Sequence, residues 1–204
     1  YATHLFACGK EAGKWMFGKH KFQIMNNAID AKKFIYNEEV RKQKRVELGV
    51  EDKFVIGHVG RFNLQKNHEF LVKRFADFAK TNEDAILVLI GNGELQEKIK
   101  EMAKEYGIET KVKFLGLRED IPQLLQAMDL FLFPSLFEGL PVTLVEAQAA
   151  GLPCVISDMI TDEIMIIDQI SKVSLSGNTS LWNQEIAKYR YSKRKNTIAV
   201  SYTH

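Results

Sequence analysis

The chain of 204 residues has only two cysteines, Cys8 and Cys154, which lie far apart and in apolar surroundings. Two such cysteines do not make a disulfide framework, and this usage is typical of a reducing compartment. No apolar run approaches the roughly 18–20 residues that span a bilayer, and no charged-then-apolar signal segment opens the chain. We therefore expect a protein located in the cytoplasm.

Motifs for metal, hydrolytic and dinucleotide chemistry are missing as well. No two aspartates are separated by a single position, and no Gly-x-Ser-x-Gly elbow occurs. The loop Gly-Asn-Gly at 91–93 lacks the third glycine of a dinucleotide fingerprint, because Gln96 stands there, and we interpret it as a tight turn. The histidines form no ligand spacing with one another or with the cysteines. They are His4, His20, His58, His68 and His204. The sequence therefore predicts no metal and no cofactor.

The charge balance gives no sign of a polyelectrolyte partner. The chain has 28 basic and 26 acidic residues, so its net charge is only +2. The basic cluster at 41–45 lies among helix-forming residues and is typical of a solvated helix face. We therefore predict no nucleic-acid partner.

What the sequence does contain is a regular alternation of short apolar strands and helices. The predicted strands are 54–60, 85–91, 112–116, 129–133, 154–157 and 172–175. The predicted helices are 38–48, 69–80, 95–106, 121–128, one from Pro141 to a cap at Gly151, and 182–191. Repeated strand-helix units predict an α/β fold with a parallel sheet, and 46% apolar residues suffice for one good core.

The stretch 133–151 combines a strand end, a loop and a helix start. A helix that begins at the carboxyl end of a parallel strand offers free N–H groups and a positive dipole end, which favours phosphate. Glu138 precedes the helix and Glu146 follows eight residues later, so both carboxylates face one ligand across the helix start, and the second suits a diol such as ribose. Two glutamates at this spacing also occur by chance in many helices.

The residues of this stretch resemble a known family. The run Phe-Pro-Ser-Leu-Phe-Glu-Gly-Leu-Pro (133–141), a second glutamate, and Ala-Gln-Ala-Ala-Gly-Leu-Pro-Cys-Val (147–155) are similar to the Glu-x7-Glu donor segment of retaining GT-B glycosyltransferases, family four. That family includes bacterial exopolysaccharide and capsule transferases. The resemblance extends more loosely over residues 2–176. It implies a Rossmann-like parallel sheet with helices on both faces, the C-terminal half of a GT-B fold.

A second segment, Gly60-Arg61-Phe62 with Lys66-Asn67, matches the diphosphate-binding positions of that family. In isolation, two cations in a loop are more simply ordinary surface charges. The resemblance instead implies that Arg61 and Lys66 hold the diphosphate and stabilise the charge on the departing nucleoside diphosphate, with Glu138 facing the donor sugar. These three are the predicted catalytic residues.

The resemblance also implies a set of substrate-binding residues. Glu146 would bind the ribose diol, the backbone of Gly139 and Leu140 would cap the diphosphate, and Leu117 and Arg118 would lie beside the base. The full predicted set is Glu146, Gly139, Leu140, Gly60, Leu117 and Arg118. The donor is expected to be a nucleoside-diphosphate sugar, UDP-linked, and no metal or cofactor is expected.

We interpret the chain as three segments. Residues 1–33 would end an N-terminal domain and form the linker, 34–190 would be the nucleotide-sugar-binding domain, and 191–204 a basic, partly disordered tail. The missing N-terminal domain would bind a saccharide or lipid-linked acceptor, so the fragment should have little transfer activity. Peripheral association with the inner face of the membrane is compatible with a polysaccharide enzyme.

Two other interpretations remain open at this point. The first is a different GT-B-like enzyme, a sugar-nucleotide epimerase or a phosphorylase, that uses the same phosphate-binding edge of the sheet. The second is a non-catalytic nucleotide-binding domain that has kept the fold. The expected function is a hexosyltransferase with retention of configuration, in surface polysaccharide or exopolysaccharide synthesis.

Overall fold

Six parallel strands form the central sheet of the computed structural model, which describes residues 2–25, 28–192 and 194. The strands are β3 (Phe54–Val59), β4 (Ala85–Ile90), β5 (Val112–Phe114), β6 (Leu130–Phe133), β7 (Cys154–Ser157) and β8 (Ile170–Val173). Their order is β5-β4-β3-β6-β7-β8, and all neighbouring pairs are parallel. The predicted α/β, Rossmann-like fold class is confirmed.

Helices precede, connect and follow these strands. They are α2 (Glu38–Leu48), α3 (His68–Ala79), α4 (Gln96–Glu105), α5 (Ile121–Ala127), α6 (Val142–Ala149) and α7 (Ser180–Lys188). The ends of α2 follow from its sequence, because the Asn37 side chain accepts from two backbone N–H groups at the start and Gly49 adopts a left-handed conformation at the end. Gly151, with φ of 65°, likewise follows the end of α6 as predicted.

The two faces of the sheet carry separate apolar cores. Phe54 and Ile56 of β3 point into one core, which α3, α4 and α7 cover, and Trp182 of α7 is fully buried there. Val55 and Val59 point into the other core, which α5 and α6 cover. This alternation along each strand explains the nearly unbroken apolar runs, because both sides of the strands are buried.

The last strand lies two residues earlier than predicted. Residues 172–175 were expected as the strand, whereas β8 pairs with β7 from Ile170 opposite Cys154 to Val173 opposite Ser157. The final helix likewise starts at Ser180 rather than at Trp182 and ends at Lys188. Register is a property of strand pairing, which local apolar content does not fix.

The N-terminal segment forms a small unit of its own. Strands β1 (Phe6–Ala7) and β2 (Gln23–Ile24) pair in parallel, and α1 (Lys10–Phe17) connects them. The predicted linker within residues 1–33 is only partly described, since Asn26 and Asn27 lie outside the described residues. The division of the chain at residue 33 stays a prediction.

The predicted C-terminal tail is described only to Ser192 and at Arg194. The Arg194 guanidinium donates to the backbone carbonyls of Leu125, Met128 and Ala150, so this residue contacts the end of α5 and the end of α6. Lys193 and residues 195–204 lie outside the described residues, and their predicted partial disorder stays a prediction.

Strands β3 and β6 lie side by side at the centre of the sheet, where the strand order reverses. Their connections lead to opposite sides, so a crevice opens between the carboxyl ends of these two strands. Ligands of open α/β sheets bind at such a switch point. The two loops that leave it are 60–67, between β3 and α3, and 134–141, between β6 and α6.

Candidate active site at the carboxyl edge of the sheet

An ion pair joins the two loops of the switch point. The Lys66 Nζ atom lies 2.6 Å from Glu138 Oε1, and the two side chains are only 16% and 8% exposed. The ammonium group also lies 4.8 Å from the centre of the Phe133 ring, at the end of β6. Two residues that are 72 positions apart in the sequence thus form one nearly buried charged group.

Hydrogen bonds between the same loops surround this ion pair. The Leu136 backbone N–H donates to the Gln65 carbonyl at 2.8 Å, and the Gln65 side-chain amide donates to the Phe137 carbonyl at 2.9 Å. The Asn67 amide donates to the Pro134 carbonyl at 3.1 Å. These bonds therefore hold the two loops in one relative position next to Lys66 and Glu138.

Two buried histidines lie beneath Lys66. The His58 and His68 rings meet edge to face at 4.7 Å between centroids, and His68 stacks on Phe62 at 4.1 Å. His58 Nδ1 lies 2.9 Å from the Leu132 carbonyl, so it carries the proton and Nε2 is the unprotonated atom. Burial first, and then nearby positive charge, lower the pKa of His68 to about 4 and that of His58 well below its usual range. Both rings are therefore neutral near pH 7.

Arg61 occupies a more open position at the same edge. Its side chain is 69% exposed, and Nη2 lies 3.2 Å from Glu94 Oε2. The backbone beside it is tightly packed: at Gly91, with φ of 133°, an added Cβ would lie 2.1 Å from the Gly60 carbonyl oxygen. The 91–93 loop is thus a turn that supports the 60–62 backbone.

A cleft of about 290 Å³ lies beside Arg61, between the ends of β3 and β4 and the start of α5. Gly60, Arg61, Leu117 and Arg118 all line it. Leu117 is 73% exposed, which leaves an apolar surface open at this cleft. The Arg118 guanidinium forms two 2.7 Å hydrogen bonds with the Asp120 carboxylate, so its direction is fixed by a neighbour on the same loop.

The start of α6 carries the remaining predicted residues. Glu146 lies in the second turn, is half-buried, and has no hydrogen bond or ion pair to its carboxylate within the described part of the chain. Burial raises its pKa. At Gly139 an added Cβ would lie 3.4 Å from Cys8 Sγ, so the N-terminal segment contacts this loop. Leu140 packs against the second core.

The family of the chain follows from its sequence. Residues 39–178 match the family described as Glycosyl transferases group 1. The chain belongs to this family. The match includes the loops that carry Lys66, Glu138 and Glu146.

Two relatives of this group 1 glycosyltransferase chain extend the comparison. The putative glycosyltransferase EpsF of Bacillus subtilis (strain 168) is 40% identical over 194 residues, which cover 92% of this chain and 50% of that protein. The UDP-Gal:alpha-D-GlcNAc-diphosphoundecaprenol alpha-1,3-galactosyltransferase of Escherichia coli is 34% identical over 143 residues, which cover 68% of this chain and 37% of that protein. The chain thus spans half or less of these relatives.

The fold is shared with solved glycosyltransferases of the GT-B type. Alr3699/HepE of Anabaena, solved in complex with UDP and glucose, superposes with a TM-score of 0.83 at 23% identity, over 94% of this chain and 54% of that one. The group 1 chain therefore has the architecture of one half of such enzymes.

Two further properties bear on the site. Among residues 2–25, 28–192 and 194, no three His, Cys, Asp or Glu side chains form a group that could hold a metal ion. Metal independence of the reaction stays a prediction. None of the helices in the described part of the chain is both long and apolar enough to cross a membrane.

The structure brings the predicted site residues into three groups. Lys66 pairs with Glu138, the residues Gly60, Arg61, Leu117 and Arg118 share the cleft, and Gly139, Leu140 and Glu146 lie at α6. Sequence reasoning assigned no role to Glu94, Gln65, Asn67 or the histidine pair. Of these residues, only Asn67 could have been noticed from the sequence. It directly follows Lys66 in the motif, and asparagine tolerates the left-handed conformation that turns require.

Proposed function

We propose that this chain is the donor-binding part of a glycosyltransferase, which transfers a hexose from a nucleoside diphosphate to an acceptor with retention of configuration. The observation that carries the proposal is the Lys66–Glu138 pair, which lies 2.6 Å apart at the switch point of the sheet. Neither residue is needed there for the apolar cores. A site that holds an anionic group beside a sugar does need both a cation and a carboxylate at this place.

The diphosphate would lie between Arg61, Lys66 and the start of α6. Arg61 is exposed and, among the described residues, pairs only with Glu94, so turning its planar fork toward phosphate oxygens costs little. The backbone N–H groups at Gly139, Leu140 and the first turn of α6 add a positive dipole end. As the bond between the anomeric carbon and the phosphate oxygen breaks, these groups stabilise the charge on the departing diphosphate.

The sugar and the nucleoside would lie on either side of that diphosphate. Glu138 faces the sugar, where a carboxylate stabilises positive charge that develops at the anomeric carbon. Glu146 accepts hydrogen bonds from the ribose diol, and its half-buried carboxylate has no partner of its own among the described residues. The base would lie in the cleft of about 290 Å³ beside Leu117 and Arg118.

The names of similar proteins support a UDP-linked donor and a lipid-linked saccharide acceptor. One relative is named for transfer from UDP-Gal to a diphosphoundecaprenol-linked sugar in an alpha-1,3 linkage, and one structural neighbour was solved with UDP and glucose. We extend this to surface polysaccharide or exopolysaccharide synthesis. The rest of the protein would bind the acceptor, so the 204 residues alone should bind nucleotide and transfer little.

Calorimetric titration of this chain with UDP, GDP and ADP, with and without magnesium, tests the donor site. We expect micromolar binding of UDP that magnesium does not change. Arg61→Ala and Glu146→Gln should each weaken binding by at least about tenfold, the scale of one lost charged or bidentate hydrogen bond. Glu101→Gln is the matched control, since Glu101 is exposed on α4. Equal binding by all four proteins, or none by any, would contradict the proposal.

Product analysis separates the reaction types. With a UDP-hexose and no acceptor, the full-length enzyme should leave the hexose unchanged apart from slow hydrolysis. Conversion of one hexose into its epimer would identify an epimerase instead. Rapid transfer to an acceptor by the isolated 204 residues would show that no further acceptor-binding domain is needed.

A further inference from the structure

The residue after Lys66 has an unusual backbone. Asn67 has φ of 56° and ψ of 46°, and it is the one non-glycine residue with positive φ in the described part of the chain. Among residues other than glycine, asparagine tolerates this left-handed conformation best. This left-handed residue lies between Lys66 and the start of α3 at His68. The backbone at 67 therefore sets the direction from which Lys66 reaches the crevice.

The side chain of Asn67 does not cap α3, although the residue directly precedes that helix. Asn67 precedes α3 as its N-cap residue, where asparagine ordinarily accepts a hydrogen bond from the first turn, yet no such bond forms here. Its amide instead donates across the switch point to the Pro134 carbonyl at 3.1 Å. The hydrogen-bonding capacity of this residue is thus used between loops and not within its own helix.

The hydrogen bond from Asn67 to Pro134 joins the loop that carries Lys66 to the loop that carries Glu138. Pro134 follows the last residue of β6 and begins the loop that carries Glu138, while Asn67 directly follows Lys66. Together with the bond from the Leu136 N–H to the Gln65 carbonyl, it fixes the distance between the Lys66 and Glu138 backbones. A shift of either loop by about 1 Å would separate a 2.6 Å ion pair and misplace both groups toward a ligand.

We propose that Asn67 is a positioning residue, whose amide holds the Lys66 loop against the Glu138 loop so that both side chains meet the donor in one geometry. This inference rests on the proposed function. It requires two separable properties of one residue, a left-handed backbone and an amide donor. Glycine supplies the first without the second, which allows a direct test.

The first variant is Asn67→Gly, which keeps the backbone conformation and removes the amide. The second is Asn67→Asp, whose side chain keeps nearly the same shape and tolerates the left-handed conformation but cannot donate to a carbonyl. Asn178→Gly is the matched control: Asn178 is exposed beyond the edge strand β8, and its side chain accepts from the Ser180 N–H. These three variants separate positioning from folding.

We expect Asn67→Gly to weaken UDP binding to this chain by about tenfold and to lower kcat of the full-length enzyme at saturating donor by about tenfold or more. Hydrogen exchange of the Leu136 amide should become faster in the same variant, because its bond to Gln65 opens more often. Asn67→Asp should show the same losses, in excess of any fraction of the variant that is unfolded. Asn178→Gly should leave binding, kcat and Leu136 exchange unchanged.

The outcomes distinguish the inference from the function on which it rests. If the unchanged chain binds UDP but Asn67→Gly equals it in affinity, kcat and Leu136 exchange, the inference is wrong and the proposed function stands. The same holds if affinity falls only in proportion to the unfolded fraction. If the unchanged chain binds no nucleotide, both are overturned.

Discussion

The two edges of the central sheet use charged residues in opposite ways. At the amino edge, the Asp129 carboxylate accepts hydrogen bonds from Arg41 at 2.5 Å, from Arg45 at 3.1 Å and from the Val55 N–H at 2.7 Å. Arg45 also donates to several backbone carbonyls, those of Ala127, Glu51 and Lys53. Every charged group of this cluster is engaged with another part of the fold.

At the carboxyl edge Lys66 is paired with Glu138 and Arg118 with Asp120, but other polar groups lack such partners. Arg61 is mostly exposed with one surface partner, and the half-buried Glu146 carboxylate has no partner in the described part of the chain. His58 Nε2 and both His68 ring nitrogens are buried without a hydrogen bond there. Such groups reduce stability unless a ligand uses them, which is the usual cost of a binding site. Under the proposed function, the amino edge contributes stability and the carboxyl edge binds the ligand.

Acidification should give the largest change in stability, through the buried histidines at the carboxyl edge. The folded-state pKa values of His58 and His68 are lowered, the latter to about 4, whereas imidazoles of the unfolded chain titrate near 6.5. The unfolded state therefore binds more protons below pH 6.5, and stability is lost as pH falls from 6.5 toward 4. The expected loss from His68 alone is about 3 kcal/mol. Urea unfolding between pH 7 and pH 4.5 measures it.

The variant His68→Phe sharpens this measurement, because it keeps a ring against Phe62 and removes the titration. Carboxylates of the unfolded chain titrate near pH 4, so the window between pH 5 and 6.5 reports the imidazoles. We expect a clearly smaller slope in that window for the variant. An unchanged slope would mean that His68 is not the cause.

Asp129→Asn tests the amino edge. The substitution leaves Arg41 and Arg45 facing a neutral amide, and we expect the free energy of unfolding to fall by about 2–3 kcal/mol, since the site is largely buried. UDP affinity should not change. Glu97→Gln removes a well-exposed ion pair with Lys100 and should cost at most about 0.5 kcal/mol. If the Asp129→Asn variant folds but binds UDP more weakly, the two edges do not divide stability and ligand binding between them.

Glu146→Gln should raise the free energy of unfolding, whereas Asp129→Asn lowers it. Burial raises the pKa of Glu146, so the folded state disfavours its ionised form, and this cost is present once pH rises above the usual range of a glutamate. Removing the charge should increase the free energy of unfolding at pH 7 by roughly 0.5 kcal/mol, allowing for solvent at a half-buried site. The same variant should bind UDP more weakly. Glu101→Gln, measured in parallel, should change neither quantity.

Arg61→Ala should have the smallest effect on stability, within about 0.5 kcal/mol, because its ion pair with Glu94 is exposed on both sides. Its effect on UDP affinity should be at least about tenfold. A variant that is as stable as the unchanged chain but binds poorly places Arg61 in the ligand-binding class. Loss of stability together with unchanged UDP affinity would show that Arg61 stabilises the fold, as the charged residues at the amino edge do.

The strands of the sheet were predictable because their apolar runs are bounded by glycine, proline and charged residues. Phe54–Val59 and Ala85–Ile90 are buried on both faces, which leaves short, nearly continuous apolar runs that their length and flanking residues identify as strands. The N-terminal segment has only two short strands, and the first of them, β1, is Phe6–Ala7. A strand with few partners has a weak sequence pattern.

The candidate site was predictable as a set of residues and not as a geometry. The spacing of Glu138 and Glu146 and the cations after β3 placed all of them at one edge of the sheet. Nothing in the spacing indicated that Lys66 pairs with Glu138 or that Glu146 has no partner among the described residues. The role of Asn67 also depends on Pro134, which is distant in the sequence.

Local periodicity and the residues that end helices and strands were enough to predict the type of fold, the succession of strands and helices along the chain, and which loops carry charge. Four features required the folded structure: the order of strands within the sheet, the register of β8, the Lys66–Glu138 ion pair, and the burial of His58 and His68. These features depend on contacts between residues far apart in the chain, and the free energy of such contacts is set by packing and desolvation in the assembled core.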